Sequence, residues 1–168
     1  MLHVCSLSRL GETVARTGAR HVVTLINTGT PVTRPSSVPA ENHLFLGFND
    51  IIEPVAGLTP PGDHHVASLL RFAERWDGEH PMVVHCFAGI SRSTAGAFII
   101  ACAFAPERSE MDIARRLRAA SPSATPNPRL VALADERLGR GGRMVEAITD
   151  IGRGANAFEG EPFALAIG

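Results

Sequence analysis

The chain has 168 residues, of which 45% are hydrophobic and 20% charged, and its formal net charge is −1. This length suffices for one domain with a sizeable core, so we expect a single domain over residues 1–168. The balanced charge does not indicate nucleic acid or an anionic membrane as partner, and no run of about 18 apolar residues could span a bilayer. The three cysteines are widely spaced and form neither a disulfide framework nor a zinc-binding pattern.

The hydrophobic pattern alternates between strands and helices in the first half of the chain and then becomes helical. Apolar, β-branched strands followed by amphipathic helices are typical of β-α-β units, which build a parallel sheet. We therefore expect an α/β fold with a central, mostly parallel sheet of about four to five strands flanked by helices. The predicted strands cover 2–5, 21–26, 43–48 and 81–85, and the predicted helices cover 8–17, 64–77, 92–104, 110–120, 128–138 and 143–151.

Several side chains have expected roles within these elements. Ser6 or Ser8 is expected to cap the first helix, and Asp63 the second. Trp76 is the only tryptophan, and we expect it to anchor its helix in the core. The residues after 151 are rich in Gly and Ala but include several large apolar side chains, so this tail is expected to dock on the domain.

The stretch 81–98 combines a short apolar strand, a tight loop and a helix. Cys86 ends the strand and Arg92 opens the helix, so residues 87–91 can wrap into a semicircle whose backbone N–H groups point inward. At a helix N-terminus such a nest binds a tetrahedral dianion, and it favours the thiolate form of a cysteine beneath it. Gly89 permits a backbone conformation that a side chain would resist. The predicted phosphate-binding residues are Phe87, Ala88, Gly89, Ile90, Ser91 and Arg92.

His85 to Thr94 read His-Cys-Phe-Ala-Gly-Ile-Ser-Arg-Ser-Thr, which resembles the signature of the cysteine-dependent protein tyrosine phosphatase superfamily, His-Cys-x5-Arg-Ser/Thr. The segment is most similar to the compact dual-specificity branch, over about residues 20–135, and the brevity of the chain is typical of bacterial members. The resemblance implies a phosphatase fold of that superfamily. It also implies hydrolysis of phosphomonoesters through a phosphocysteine on Cys86, with Arg92 holding the phosphate and no metal or other cofactor.

A phosphatase also needs a carboxylic acid on a separate segment, because the leaving oxygen must be protonated. Asp50 fits this role best, since it follows the third predicted strand and begins a loop that contains Pro and Gly. Enzymes that resemble this one place their general acid on such a loop, upstream of the cysteine. The sequence departs from the family in having Phe48-Asn49-Asp50 instead of Trp-Pro-Asp. The alternatives for the acid are Asp63, Glu53, His64 and His65.

The resemblance assigns supporting roles to three further residues. Ser93 would donate a hydrogen bond to the sulfur of Cys86 and make it a better leaving group, although a first-turn helix serine needs no such role. His85 would orient the loop and help to hold the thiolate rather than act as a base. Asn127 resembles the asparagine that braces the catalytic loop of dual-specificity phosphatases, but a helix-cap role explains it equally well.

The two other cysteines, Cys5 and Cys102, are interpreted as core residues. The alternative is that one of them protects an oxidised Cys86 by forming a disulfide. A thiolate enzyme also needs a reducing compartment, and the N-terminus does not have the pattern of a signal peptide, so we expect a cytoplasmic location.

The interior of the loop, residues 87–91, contains no Lys or Arg. Superfamily members that act on phosphoinositides usually carry basic residues there, so the loop favours a single phosphate. We expect the substrate to be a phosphorylated protein, with phosphotyrosine favoured, or a small phosphomonoester. The alternatives are a pseudophosphatase that binds phosphorylated partners without turnover, a phosphatase for a non-protein ester, and a sulfurtransferase or arsenate reductase.

Overall fold

The computed structural model describes residues 1–168 as a five-stranded sheet with six helices. The elements lie where the sequence predicts them to within a few residues, and a fifth strand forms near the C-terminus. None of the helices combines the length and apolar character needed to cross a membrane. The strands are β1 (Leu2–Ser6), β2 (His21–Ile26), β3 (His43–Gly47), β4 (Met82–Cys86) and β5 (Phe163–Leu165), and the helices are α1 (Leu10–Thr17), α2 (Asp63–Glu74), α3 (Arg92–Phe104), α4 (Glu110–Ala120), α5 (Pro128–Arg137) and α6 (Arg143–Ile151).

The sheet has the strand order β3-β2-β4-β1-β5. The four long strands are parallel, whereas β5 pairs antiparallel with β1, with Leu165 opposite Leu2. The predicted mostly parallel sheet is therefore confirmed. Because parallel strands bring their carboxyl ends to one edge, the residues that follow β2, β3 and β4 meet there, which is where α/β sheets bind ligands.

Helices cover both faces of the sheet. On one face, Val4 and Val84 belong to a cluster of 33 buried residues that includes parts of α2, α3, α4, α5 and α6. On the other face, Leu10 and Val14 of α1 pack on a smaller cluster that includes Cys5. Each large side chain buried in this way stabilises the fold by about 1.5–3 kcal/mol.

Helix α3 lies at the centre of the domain and is buried from Arg92 to Cys102. It can be buried on all sides because nearly every residue of it is small or apolar. This packing fixes the position of its N-terminus, at which the loop 86–92 ends. Trp76 is 3% exposed and its indole N–H donates to the carbonyl oxygen of His80 at 2.8 Å, as expected for a core anchor.

The predicted cap of α1 is wrong. The helix begins at Leu10, after a short 3-10 turn, and neither Ser6 nor Ser8 caps it. Both hydroxyl groups instead donate to the carboxylate of Glu159 in the C-terminal part of the chain. The turn moves the helix start away from the serines, which leaves them free to hold the tail.

The predicted cap of α2 is also wrong. Asp63 is the first residue of the helix, and Gly62, whose backbone is extended, occupies the N-cap position. The N–H of Gly62 donates to Nδ1 of His65 at 2.9 Å, while the carboxylate of Asp63 forms an ion pair with Arg137. An aspartate within the first turn still interacts favourably with the helix dipole.

Candidate active site

The loop between β4 and α3, residues 86–92, is named the phosphate loop below. Cys86, the last residue of β4, is 3% exposed. Its sulfur lies 3.1 Å from the hydroxyl oxygen of Ser93 and 3.2 Å from the backbone nitrogen of Gly89. As a thiol Cys86 donates to the Ser93 oxygen and accepts from the N–H of Gly89, whereas to a thiolate both groups can donate.

The backbone of the phosphate loop is held from outside through its carbonyl groups. Four N–H groups from three other segments of the chain donate to them, and a carbonyl that points outward turns the amide groups of such a loop inward. The amides can then form the predicted nest for an anion at the N-terminus of α3. The donors are Leu7 N–H to Phe87 O (3.1 Å), Gly160 N–H to Ala88 O (2.8 Å), Thr125 N–H to Ile90 O (2.9 Å) and Asn127 N–H to Ser91 O (3.2 Å).

Gly89 is required at the midpoint of the loop for two reasons. Its φ angle is +74°, in the left-handed region that side chains resist. In addition, a Cβ atom at this position would lie 2.9 Å from the backbone of Cys5 and Ser6. The loop can therefore pass over the end of β1 only because this residue has no side chain.

Arg92 is 7% exposed and is oriented by two acceptors that directly follow β2 and β3. Its Nη1 donates to Oδ1 of Asn27 and to the carbonyl oxygen of Phe48, both at 2.7 Å. Its Nε is buried and has no partner in the protein. A buried donor without a partner is costly, so this edge of the guanidinium is suited to an oxyanion, which it can bind through two parallel N–H groups.

Sequence reasoning missed Asn27. It follows β2 directly, at the carboxyl edge of the sheet, and this position is the one signal that could have identified it. Its role depends on a contact with Arg92, which lies far away in the sequence.

Asp50 lies beside the phosphate loop, in the segment that follows β3. Its Oδ1 accepts hydrogen bonds from the hydroxyl of Ser91 and from Nδ2 of Asn127, both at 2.7 Å. The carboxyl group is exposed to solvent, as a group that meets substrate must be. The structure thus brings the predicted acid to the loop that contains the predicted nucleophile.

The alternative acids have other environments. Asp63 is paired with Arg137, as described above. His65 stacks on Phe48, with a distance of 4.8 Å between ring centroids, and burial lowers its pKa. Glu53 is exposed and makes no hydrogen bond to the phosphate loop. Geometry therefore favours Asp50 among the candidates.

Asn127 caps α5, and it also contacts the predicted acid and the phosphate loop. Its Oδ1 accepts from the N–H of Leu130 at 3.0 Å and caps α5, while its Nδ2 donates to Asp50 and, at 3.3 Å, to the carbonyl oxygen of Ile51. Since its backbone N–H also donates to Ser91, the residue connects the start of α5, the acid and the phosphate loop.

His85 is fully buried and contacts the backbone of the loop rather than the sulfur. Its Nδ1 lies 3.2 Å from the carbonyl oxygen of Cys86, and its Nε2 lies 2.7 Å from the hydroxyl oxygen of Thr24, which is 2.8 Å from Nε2 of His43. Burial lowers the pKa of His85 to about 4, so the ring is neutral at pH 7. We assign its proton to Nδ1, because the carbonyl can only accept.

The low pKa of His85 predicts a loss of stability in acid. The unfolded chain protonates this residue below its ordinary value of 6.5, whereas the folded chain does so only near 4. The unfolded state therefore binds more protons between these values. Stability is complete above pH 6.5 and falls by about 3 kcal/mol as the pH falls to 4. Urea unfolding across this range should show a shallower decline for His85→Gln than for the wild type, and parallel curves would contradict the assignment.

Cys5 and Cys102 are free, buried thiols. Burial raises the pKa of Cys5 to about 11 and that of Cys102 to about 12, so both are neutral at pH 7. Cys5 pairs in register with His85, and because side chains alternate along a strand, its thiol faces α1 while Cys86 faces α3. This geometry favours the interpretation as core residues.

Comparison with known proteins finds similarity to protein tyrosine phosphatases in sequence and in fold. The family model described as protein-tyrosine phosphatase matches residues 56–123, which include the phosphate loop. The structure of DUSP15 is 19% identical, with a TM-score of 0.63, and the match covers 89% of this chain and 90% of that one. Human DUSP28 is also 19% identical, with a TM-score of 0.63 and coverage of 83% and 94%. No curated protein sequence matches.

A third solved structure, the PTP-2 phosphatase of Cydia pomonella, is 18% identical, with a TM-score of 0.62 and coverage of 80% of this chain and 84% of that one. At such identities the solved structures establish a shared fold. The sequence match and the fold together confirm the resemblance that the loop motif predicts.

Proposed function

We propose that this chain, which has the fold of the protein tyrosine phosphatase superfamily and resembles its dual-specificity branch, is a cysteine-dependent phosphatase with one catalytic domain over residues 1–168. One observation carries the proposal. The sulfur of Cys86 lies within hydrogen-bond distance of the Ser93 hydroxyl and the Gly89 N–H, in a loop whose carbonyls accept from other segments and which ends at Arg92, whose buried Nε has no partner. A thiolate, inward amides and a free guanidinium edge are together the requirements for nucleophilic attack on a phosphate.

In the first step the thiolate of Cys86 attacks phosphorus in line with the ester oxygen. A sulfur–phosphorus bond forms, the bond to the ester oxygen breaks, and the protonated Asp50 gives its proton to that oxygen. The loop amides and Arg92 stabilise the remaining phosphate oxygens throughout. Because Oδ1 of Asp50 accepts from Ser91 and Asn127, we assign the transferred proton to Oδ2.

In the second step water attacks the phosphorus of the phosphocysteine. The carboxylate of Asp50 takes a proton from that water, the sulfur–phosphorus bond breaks and inorganic phosphate leaves. The electron pair of the broken bond returns to Cys86. The hydroxyl of Ser93, which is 3.1 Å from the sulfur, stabilises this leaving thiolate.

The substrate that fits best is a phosphorylated protein, with phosphotyrosine favoured over phosphoserine and phosphothreonine. The loop carries no lysine or arginine between Cys86 and Arg92 to contact additional phosphates. The presence of Cys86, Arg92 and Asp50 at one site favours turnover over a pseudophosphatase that only binds. A small non-protein phosphomonoester is the alternative substrate.

The proposed chemistry also bears on the cellular location of the enzyme and on its cofactors. A thiolate stays active in a reducing compartment, so we place the reaction in the cytoplasm. Arg92 and the loop amides supply the electrostatic stabilisation that a metal would otherwise provide, so we assign no metal or other cofactor, and nucleic acid is not among the proposed partners.

Hydrolysis of p-nitrophenyl phosphate in reducing buffer with EDTA tests the proposal. The wild-type chain should release p-nitrophenol at a rate that EDTA does not lower. If it releases none, while vanadate still raises its melting temperature, the site binds phosphate without turnover and the pseudophosphatase alternative is correct.

The acid role predicts a dependence on the leaving group. In Asp50→Asn, kcat/KM for phenyl phosphate, whose leaving group needs a proton, should fall by about 10²–10⁴-fold. The fall for p-nitrophenyl phosphate should be much smaller, because its leaving group is stable as an anion. Steady-state assays with a series of aryl phosphates measure this, and kcat/KM is the correct parameter because it reports the first step alone.

Glu53→Gln is the matched control, since Glu53 is an exposed carboxylate in the same loop. Its profile across the series should follow that of the wild type. A uniform fall for all leaving groups in Asp50→Asn, or a leaving-group-dependent fall in Glu53→Gln, would contradict the assignment of the acid to Asp50.

A further inference from the structure

A cleft of about 440 Å³ adjoins the phosphate loop on the side of Asp50. Asp50, Ile90, Ser91 and Thr125 line one part of it, and residues 152–162, named the C-terminal tail, supply the rest of the lining. The tail residues that line it are Arg153, Ala155, Asn156, Ala157 and Phe158. None of them belongs to the part of the chain that the sequence motif describes.

The position of this cleft relates it to the leaving group. In the proposed function Asp50 protonates the ester oxygen, so that oxygen must lie within hydrogen-bond reach of its carboxyl group. Whatever the ester oxygen carries therefore extends past Asp50. The cleft bordered by Asp50 and by Ile90 and Ser91 of the phosphate loop is the space available to the leaving group.

The C-terminal tail is fixed on both sides of its exposed residues. At its start, the N–H of Gly154 donates to the hydroxyl of Thr125, and that of Ala155 to the carbonyl of Pro122. A Cβ at Gly154 would lie 2.6 Å from the backbone of Ser123, which shows how closely the tail approaches this loop.

At its other end the tail contacts the phosphate loop itself. The N–H of Gly160 donates to the carbonyl of Ala88, and a Cβ at Gly160 would lie 2.7 Å from the carbonyl oxygen of Gly89. The carboxylate of Glu159 accepts from the two serines near β1, and β5 follows a few residues later. The backbone of residues 155–159 is thus held between two anchors.

Two exposed side chains border this segment of the C-terminal tail, Phe158 within it and Arg153 directly before its first anchor. The ring of Phe158 is fully exposed. Arg153 forms no ion pair, and its one hydrogen bond is a 3.4 Å contact with Asn156 within the tail. An aromatic face and an unpaired guanidinium border the same cleft, and they are complementary to an aryl group and to a carboxylate respectively.

We propose that the C-terminal tail is a leaving-group subsite in which Phe158 contacts the aryl ring and Arg153 binds an acidic side chain next to it. The preferred substrate is then a phosphotyrosyl segment with a neighbouring Asp or Glu. This inference rests on the proposed phosphatase function and adds to it the residues that determine specificity.

The test of Arg153 compares two phosphotyrosyl peptides that differ only in one neighbouring residue, Glu in one and Gln in the other. The wild type should have a kcat/KM for the Glu peptide about fivefold higher or more. Arg153→Ala should bring this ratio close to one, and Arg153→Glu should reverse it and favour a peptide with Lys at that position. The control Arg116→Ala, which removes an exposed arginine of α4 outside the cleft, should keep the wild-type ratio.

The test of Phe158 separates binding from chemistry. Phe158→Ala should raise KM for phosphotyrosyl peptides about three- to tenfold with kcat within twofold of the wild type. It should leave KM for a phosphoserine peptide unchanged, because that leaving group has no ring. The ring packs on nothing in the chain, so the melting temperature should not change.

The outcomes distinguish a failure of the proposed subsite from a failure of the proposed phosphatase function. If the wild type hydrolyses p-nitrophenyl phosphate but shows the same kcat/KM for both peptides, the subsite is overturned and the phosphatase proposal stands. If neither p-nitrophenyl phosphate nor a peptide is hydrolysed, both fail. A preference for phosphatidylinositol phosphate in phosphatidylcholine vesicles over the Glu peptide, lost in Arg153→Ala, would overturn the peptide assignment.

Discussion

Replacement of Cys86 with serine is expected to abolish turnover while anion binding persists. The serine hydroxyl is a far weaker nucleophile, and the hydrogen bonds that stabilise a thiolate give it no comparable activation. We expect kcat for p-nitrophenyl phosphate to fall by at least about 10⁴-fold. The ligands of the phosphate, which are the loop amides and Arg92, are unchanged, so orthovanadate or phosphate should still raise the melting temperature.

Cys102→Ala is the matched control for this experiment. Cys102 is a buried thiol near the C-terminal end of α3, and burial raises the pKa of that thiol to about 12. Its removal should lower the melting temperature slightly and leave kcat within twofold. Turnover in Cys86→Ser above about one per cent of the wild type would remove the nucleophile assignment, as would the loss of turnover in Cys102→Ala.

Much of the phosphate loop could be predicted because the residues that form it are consecutive in the sequence. The distance along the chain from Cys86 to Arg92 fixes the size of the nest, and Gly89 marks its midpoint. The elements around it were predictable for a similar reason, because apolar periodicity within about ten residues determines each strand and helix. Helix α3 is the clearest case, since a helix that is apolar on all sides can only be central.

Contacts between distant segments were less predictable. Nothing near Asn27 in the sequence indicates that it orients Arg92, because the contact exists only once β2 and β4 are adjacent in the sheet. Likewise Asp50 could be proposed from its position after β3, but its hydrogen bonds to Ser91 and Asn127 depend on the packing of three separate segments.

The residues after 151 show the same difference most clearly. Their apolar side chains predicted docking but gave no strand signal, because β5 is only three residues long and forms by pairing with β1. The failed cap prediction for α1 has a similar origin. Ser6 and Ser8 have the character of helix caps, and their actual partner, Glu159, is more than 150 residues away along the chain.

Replacement of Arg92 with lysine is expected to impair the enzyme severely although the positive charge is retained. The guanidinium has one nitrogen fixed by Asn27 and Phe48 and another edge free for phosphate, and an ammonium group cannot serve both sides at once. We expect kcat/KM for p-nitrophenyl phosphate to fall by about 10³-fold, since the lost interactions act on charge in the transition state. Steady-state kinetics on folded protein, with Arg116→Lys as an exposed control, measure the effect.

A variant at Asn27 tests how much the orientation of the Arg92 guanidinium contributes to activity. Asn27→Ala removes one of the two acceptors that orient Arg92 and leaves its free edge intact, so kcat should fall by about tenfold and less than in Arg92→Lys. Combining the two substitutions should add little to Arg92→Lys alone, because Asn27 acts through the guanidinium that is already absent. Additive losses in the double variant would show that Asn27 does not act through Arg92, and a fall of less than tenfold in Arg92→Lys would show that the guanidinium does not hold the reacting phosphate.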